Sequence, residues 1–409
     1  MAQDLQHFIP FTRHDLLAMC LQSSGVSKYQ KNDIVRIAGL LQKLFHSEFY
    51  QTQNELTLAY EPFDPDLDTR QPFLDVSVRE TSGEFKQKLE RVLEQGNFIR
   101  LTKVDLEAAL SESSLFKIRL HIDFDEFEEV LVYCRGISIK TEVIPELLGL
   151  RKREIEFTNY DRVVLYLRFK DTASLGKNVE LLGRSRKTLL KLFRNVPKAD
   201  LEMLFPNTRI GMRLLDKLLI GIPALVSGGV VLTTKLGATL VLLSGVLGFW
   251  LGLHNTPVAL DSAALLALAA GVGAVAGYLW KQFNSFKNRK LRFSQALTQN
   301  LYFKSLDNNA GVFYRLIADA EDEEFKETFL AWFFLSICRN GLTQDNLDRD
   351  IEQWFQDKWQ TEIDFEVEDG LKKLERLGLA RCENGVWKAL SIGEALLTVE
   401  SEIVRGIKG

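Results

Sequence analysis

Cysteine is scarce: Cys20, Cys134, Cys338 and Cys382 are the four in 409 residues. They stand too far apart to form a CxxC ligand pair, and so few in so long a chain exclude a disulfide-framed small domain. All four read as reduced core residues. The first residues also lack the basic-then-apolar pattern of a secretory signal, because Asp4, His7, Arg13, His14 and Asp15 are scattered through Met1–Leu17. The Arg- and Ser-rich look of a transit peptide is missing too. The N-terminal region is therefore expected to stay in the compartment of its synthesis. Catalytic signatures are lacking: there is no GxSxG elbow and no HExxH helix. Leu175-Gly176-Lys177-Asn178 fails the phosphate-loop pattern, with Asp171 in place of the first Gly and Asn178 in place of Ser or Thr. No cofactor is expected, and the reading leans away from an enzyme.

Neither sign of charge dominates. The formal net charge is -4, with 46% hydrophobic and 26% charged residues. That composition is globular, excludes wholesale disorder and a fibrous repeat, and argues against a dedicated nucleic-acid binder. Charge is instead missing from one block. Leu218–Thr234, Leu236–Leu253 and Ala263–Trp280 carry no Asp, Glu, Lys or Arg. A membrane span needs roughly 20 apolar residues in a helix, so these runs predict membrane helices. Basic residues flank the block, Arg209, Arg213 and Lys217 before it and Lys281, Lys287, Arg289, Lys290 and Arg292 after it. The intervening turn His254–Ser262 has no Lys or Arg, which predicts both ends cytoplasmic and an even number of crossings. The expectation is a two-helix hairpin, one helix within 222–253 and one near 263–281, with Lys235 near a surface. Three spans remain the alternative. Gly248-x-x-x-Gly252 and Gly273-x-x-x-Gly277, with Ala269 a turn earlier, suit close helix packing in lipid.

Outside that block the hydrophobic period alternates between helix and strand. Phe11–Gln51, Ser82–Leu93 and the stretch after Thr102 read as helical, Thr102 and Asp105 making a cap. Phe116–Ile122, Glu129–Tyr133, Ile137–Lys140, Glu154–Phe157 and Val163–Phe169 read as strands of an antiparallel sheet. The segment 184–196 reads as an amphipathic helix, with Arg184, Lys187, Lys191 and Arg194 on one side, suited to an anionic membrane surface. Gly311–Ile337 is helical. Leu347, Ile351 and Phe355 mark a further helix, and Val367, Leu371, Leu374 and Leu377 another that ends at Gly378. A hairpin turning at Glu383-Asn384-Gly385 completes a winged-helix-like end. From Gly341 to Gly409 there are 15 acidic and 9 basic residues, a balance of −6 that repels phosphate and favours a protein partner over nucleic acid.

Two acidic groups are metal candidates. Asp64, Asp66 and Asp68 alternate like the start of a calcium loop with Asp75 at the twelfth place, but Thr69 holds the Gly position and Pro65 stiffens the start. His121, Asp123 and Asp125 would share one face if a strand continued through them. In each case the plainer alternative is a capped turn or a polar strand edge.

Several strings resemble a known family in combination. They are Phe8-Ile9-Pro10-Phe11-Thr12-Arg13, Tyr60-Glu61-Pro62-Phe63-Asp64-Pro65-Asp66, Val196-Pro197-Lys198-Ala199-Asp200-Leu201-Glu202 and Leu204-Phe205-Pro206. They continue with Lys287-Asn288-Arg289, Leu301-Tyr302-Phe303-Lys304 and Asn308-Asn309-Ala310-Gly311. The chain is similar to the domain-of-unknown-function 3754 family, which includes the transmembrane protein 143 of animals. The resemblance implies an integral membrane protein with no assigned activity, so no functional residue carries over. Without an evident transit sequence, a bacterial-type inner (plasma) membrane is expected rather than a mitochondrial one.

The sequence therefore predicts an α+β integral membrane protein. Its regions are 1–113 helical, 114–216 sheet plus basic helix, 217–282 membrane hairpin, 283–340 helical and 341–409 winged-helix-like. The expected role is a membrane-anchored interaction or regulatory scaffold in contact with the lipid bilayer, possible as a homo-oligomer. A channel or transport component and a membrane-bound metal-dependent enzyme are the alternatives.

Overall fold

The computed structural model describes residues 7–23, 28–66, 78–102, 104–106, 119–146, 151–170, 187–206, 209–211, 301–338 and 340–408, with separate positions between 244 and 299. The chain divides into two compact units. One comprises Met1–Glu112, Asp123–Leu201 and Lys304–Gly409; the other comprises Ser113–Ile122 and Glu202–Phe303.

The first unit is built around one helix. Helices α1 (Arg13–Leu21), α2 (Lys28–Tyr60) and α3 (Val78–Gln95) come from the N-terminal part, and α4 (Ala310–Ile337), α5 (Gln344–Trp359), α6 (Val367–Arg376) and α7 (Ile392–Lys408) from the C-terminal part. In α4 every residue from Glu323 to Leu335 is buried. A helix covered on all faces is normally apolar all round, and Phe325, Phe329, Leu330, Trp332 and Phe333 meet that demand at 2% exposure or less. Each such side chain contributes about 1.5–3 kcal/mol by leaving water. Glu323, Glu324, Lys326 and Glu327 do not fit that pattern.

A five-stranded sheet packs on these helices in the order β1 (Ile99–Arg100), β3 (Phe127–Glu146), β4 (Arg151–Phe169), β5 (Thr188–Pro197) and β7 (Ser305–Asn308). All neighbours are antiparallel. Leu131, Tyr133, Val164, Tyr166, Leu190 and Leu192 alternate onto the helix-facing side and join the main core. The two runs expected as separate strands at 129–133 and 137–140 are one strand. Gly136 joins them at φ 71°, where a Cβ would come within 2.6 Å of Asp161 Oδ2.

The basic amphipathic helix expected at 184–196 is strand β5 over Thr188–Pro197. Leu190 and Leu192 face the helices while Leu189, Lys191 and Phe193 alternate with them, so the strand is apolar on both sides. Such a run fits either period over a short window, and pairing between β4 and β7 decides it.

At the C-terminal end, Thr343 caps α5, and Gly378 at φ 65° follows α6. A hairpin then forms from β8 (Ala380–Glu383) and β9 (Val386–Ala389), turning through Asn384 at φ 54° and Gly385 at φ 79°. Both turn residues take the left-handed conformation that a tight hairpin turn requires. Leu342 bridges antiparallel to Trp387 and ties the start of the unit to the hairpin.

In the second unit β2 (Arg119–His121) pairs antiparallel with β6 (Arg209–Gly211). Among the described residues no helix is long and apolar enough to cross a membrane. On that finding the integral-membrane class, its two-helix hairpin and the transmembrane description are corrected. Lack of charge is a property of composition, whereas a span requires an unbroken helix. Gly252, at φ 71°, closes a turn onto Phe249 O at 3.1 Å, so the helix does not run on through it. Lys235, Gly248 and most of the uncharged runs lie outside the described residues.

Candidate functional site

The acidic segment of α4 sits in the centre of the first unit with its charges matched by neighbouring elements. Lys373 of α6 reaches Glu324 at 2.8 Å and Glu327 at 2.7 Å. Asn97 Nδ2 donates to Glu327 Oε1 at 2.9 Å and to the His7 carbonyl at 2.7 Å. Ile9 N donates to Glu323 Oε2 at 3.0 Å, and Lys326 Nζ donates back to the Ile9 carbonyl at 2.9 Å. Arg13 pairs with Asp322 at 2.5 Å and Glu321 at 3.1 Å. The Phe8–Arg13 string is thereby held along α4 by backbone and side-chain bonds.

Burial raises the carboxyls of Glu323, Glu324 and Glu327, the last to about 7, against the lowering effect of Lys326 on the first and Lys373 on the other two. Lys373 is raised in turn, its two carboxylate partners outweighing its own burial. Opposite charges brought this close in a poorly solvated place satisfy one another but leave little for an outside ligand.

The cations of α6 are all engaged. Lys373 serves α4, Arg376 forms two bonds to Glu48 of α2 at 3.0 and 3.1 Å, and Lys372 reaches Glu368 at 2.8 Å. Val367, Gly370, Leu371 and Leu374 are buried. Gly370 permits the contact, since a Cβ there would lie 3.1 Å from the Glu327 carbonyl and 3.2 Å from Ala331 Cβ.

An open groove lies where α1, α4 and α5 end. Met19, Gln22, Ser23, Phe333, Phe334, Ile337, Trp354, Lys358 and Trp359 line it, around a volume of about 410 Å³. Trp354 anchors its aromatic wall, with ring centroids 5.6 Å from Phe334, 4.9 Å from Phe355 and 6.4 Å from Trp359. Phe11 stacks on Phe355 at 5.6 Å and meets Trp359 edge-on at 6.4 Å. Trp359 remains 37% exposed and Ile337 39%. Their apolar surface, still open to solvent beside formed aromatic contacts, is the kind of surface that binding covers.

The residues singled out from sequence fall elsewhere. Asp64 and Asp66 form a capped turn, Asp66 N donating to Asp64 Oδ1 at 2.9 Å, and burial raises the Asp64 carboxyl. Asp68 lies outside the described residues. His121 ends β2, whereas Asp123 accepts from Asp125 N at 3.1 Å as the cap of the 3-10 turn Phe124–Glu126. The strand stops before Asp123, so alternation cannot align the three. Among the described residues no group of three His, Cys, Asp or Glu could hold a metal ion.

Arg184 is outside the described residues, while Lys187 donates to the Pro65 carbonyl at 3.5 Å and Lys191 to Asn308 Oδ1 at 2.7 Å. On a strand, Lys191 and Arg194 point to opposite faces, so no single basic face forms. Ala269, Gly273 and Gly277 are exposed helical positions, and a Cβ added at either glycine would meet nothing within 4 Å. Cys20 and Cys134 are buried as expected, but Cys338 is half-buried and Cys382, on the hairpin, is exposed.

Two of the quoted strings do converge. Tyr60 Oη donates to the Thr188 carbonyl at 2.8 Å and to Asn309 Oδ1 at 3.3 Å, and Leu190 N donates to the same Asn309 oxygen at 3.2 Å. Asn309 Nδ2 donates to the Asp66 carboxylate. Asn309 holds φ 48° and ψ −124°, a region that disfavours side chains, and is buried. Its bonds tie the Tyr60–Asp66 string, β5 and the start of α4 together, which accounts for the strained backbone as a structural pin.

Sequence reasoning missed the groove. Trp354 flanks the Leu347, Ile351, Phe355 stripe at helical spacing, so a wider-than-usual apolar face on α5 was visible. Met19 and Phe334 are distant in sequence, and nothing local joins them to it.

Residues 160–311 match the family described as "Protein of unknown function (DUF3754)". No solved structure matches it. The matched stretch stops at Gly311, before the groove residues of α4 and α5.

Proposed function

We propose that this chain is an interaction or regulatory protein, and that its C-terminal helix–helix–hairpin unit contacts protein rather than nucleic acid. The observation that carries this reading is that α6 turns its apolar side and Lys373 inward onto α4, where Lys373 is held by Glu324 and Glu327. Helix-turn-helix readers of DNA present the second helix to the major groove and use free cations on phosphate. Here the second helix, α6, faces α4 with its apolar side, Lys373 is a buried counter-ion, and the exposed Lys372 and Arg376 are paired with Glu368 and Glu48. The exposed aromatic groove at the ends of α1, α4 and α5 is the surface of this unit suited to a partner.

The test is a photo-crosslinking residue at Gln22, an exposed groove position, with exposed Leu58 of α2 as control. A discrete protein adduct from Gln22 and none from Leu58 is expected, together with no salt-dependent binding of duplex DNA. Sequence-selective DNA binding, or equal labelling from both positions, would overturn the reading.

A further inference from the structure

The groove has an electrical character that its apolar lining does not reveal. Helix α1 ends at Leu21, α4 at Ile337 and α5 at Trp359, and the lining residues Gln22, Ser23, Ile337, Lys358 and Trp359 lie in or next to those last turns. Each helix C-terminus carries roughly half a negative elementary charge, so three of them meeting at one opening favour a cation there. Asp350 and Asp357 lie one turn to either side of Trp354 on the same flank of α5. Both are exposed, and neither has an ion-pair partner among the described residues. The opposing charge in the lining is Lys358, on the exposed rim. The accessible aromatic walls are Trp354 and Trp359, and aromatic rings attract cations by their quadrupoles.

We infer that this groove receives an arginine or lysine side chain carried on an apolar segment of a partner protein. The inference rests on the protein-interaction reading above and names the chemistry of the partner. The apolar flank of the segment covers Ile337 and Phe334, while the cation sits against Trp354 and Trp359 under the three helix ends. A volume of about 410 Å³ accommodates one such long side chain and its neighbours. Lys358 opposes the incoming charge, so removing it strengthens the contact. That sign distinguishes a cationic partner from an acidic one that would pair with Lys358.

The experiment uses the full chain and three labelled peptides of one apolar sequence, acetylated and amidated, with Arg, Gln or Glu at the central position. Fluorescence anisotropy should rank them Arg, Gln, Glu, with about a tenfold gap between Arg and Gln, the equivalent of a desolvated cation–aromatic contact. Added salt should narrow the gap. Lys358→Glu should tighten the Arg peptide several-fold, and Trp354→Ala should abolish its preference. Because Trp354→Ala could disturb folding, Lys358→Glu on the exposed rim carries the decision. Equal binding of the three peptides, preference for Glu, weakening by Lys358→Glu, or self-association of the chain in place of peptide binding would each overturn the cation assignment. A persisting Gln22 adduct in those cases leaves the wider interaction reading standing, and its loss removes both.

Discussion

Replacing Lys373 with Met tests whether the buried ionic cluster is as tightly coupled as its geometry implies. Lys373 Nζ lies 2.8 Å from Glu324 and 2.7 Å from Glu327, and its side chain is 12% exposed. Methionine fills similar space without the charge, so two buried carboxyls lose their counter-ion. Breaking a buried pair in this way costs about 3–5 kcal/mol. Asn97 still donates to Glu327, Arg376 still lowers Glu324, and Asp369 still raises it, so the carboxyls have partial compensation only.

The loss depends on pH with a definite sign. In the native chain burial raises the Glu327 carboxyl from 4.5 to about 7, so the folded state holds that proton more tightly than the unfolded chain does. Its stabilising effect is complete below pH 4.5 and is lost as pH rises through about 7. Removing Lys373 removes a lowering influence from both carboxyls and moves this window upward. Urea unfolding followed by tryptophan fluorescence should therefore show the full loss near pH 8. Near pH 5, where the Glu327 carboxyl is protonated, the loss should shrink to roughly 1–2 kcal/mol for the missing hydrogen bonds. Adding Glu324→Gln and Glu327→Gln to Lys373→Met should recover most of the stability at pH 8. An equal loss at both pH values, or a wild-type midpoint at pH 8, would refute the coupling.

Substitutions at two further positions probe the same unit. Asn309→Ala removes the bonds to Tyr60, Leu190 and Asp66 and keeps a side chain at φ 48°, so a thermal melt should register about 2–4 kcal/mol of loss. Asn309→Gly loses the same bonds but relaxes the backbone, and should be milder by about 1 kcal/mol; a glycine variant worse than alanine would show that strain is not involved. Thr328 is fully buried and its Oγ1 has no hydrogen-bond partner among the described residues, so Thr328→Val should be neutral or stabilising by up to about 1 kcal/mol in urea melts. A clear loss there would reveal a partner for that hydroxyl.

Legibility followed the range of the interactions that fix each element. The stripes Leu347, Ile351, Phe355 and Val367, Leu371, Leu374 forecast α5 and α6 because one buried face per helix leaves a period in the sequence. Asn384 and Gly385 forecast the hairpin because a tight turn needs left-handed residues. Thr102 and Asp105 forecast their reciprocal cap, the Thr102 amide lying 2.8 Å from Asp105 Oδ2. Strand β5 was misread because both its faces are apolar, and the membrane hairpin because lack of charge does not by itself give a helix long enough to cross, and none is found among the described residues.

The sequence by itself determined which residues turn, cap and alternate, since those choices are settled within a few residues along the chain. Only the tertiary structure decided that Lys373 neutralises Glu327, that Asn309 joins Tyr60 to Leu190, and that Met19 and Trp354 share a groove. Each of those contacts joins segments separated by tens to hundreds of positions. A side chain's charge or ring is written in the sequence, but whether it is satisfied internally or left open to a partner depends on what folding places against it.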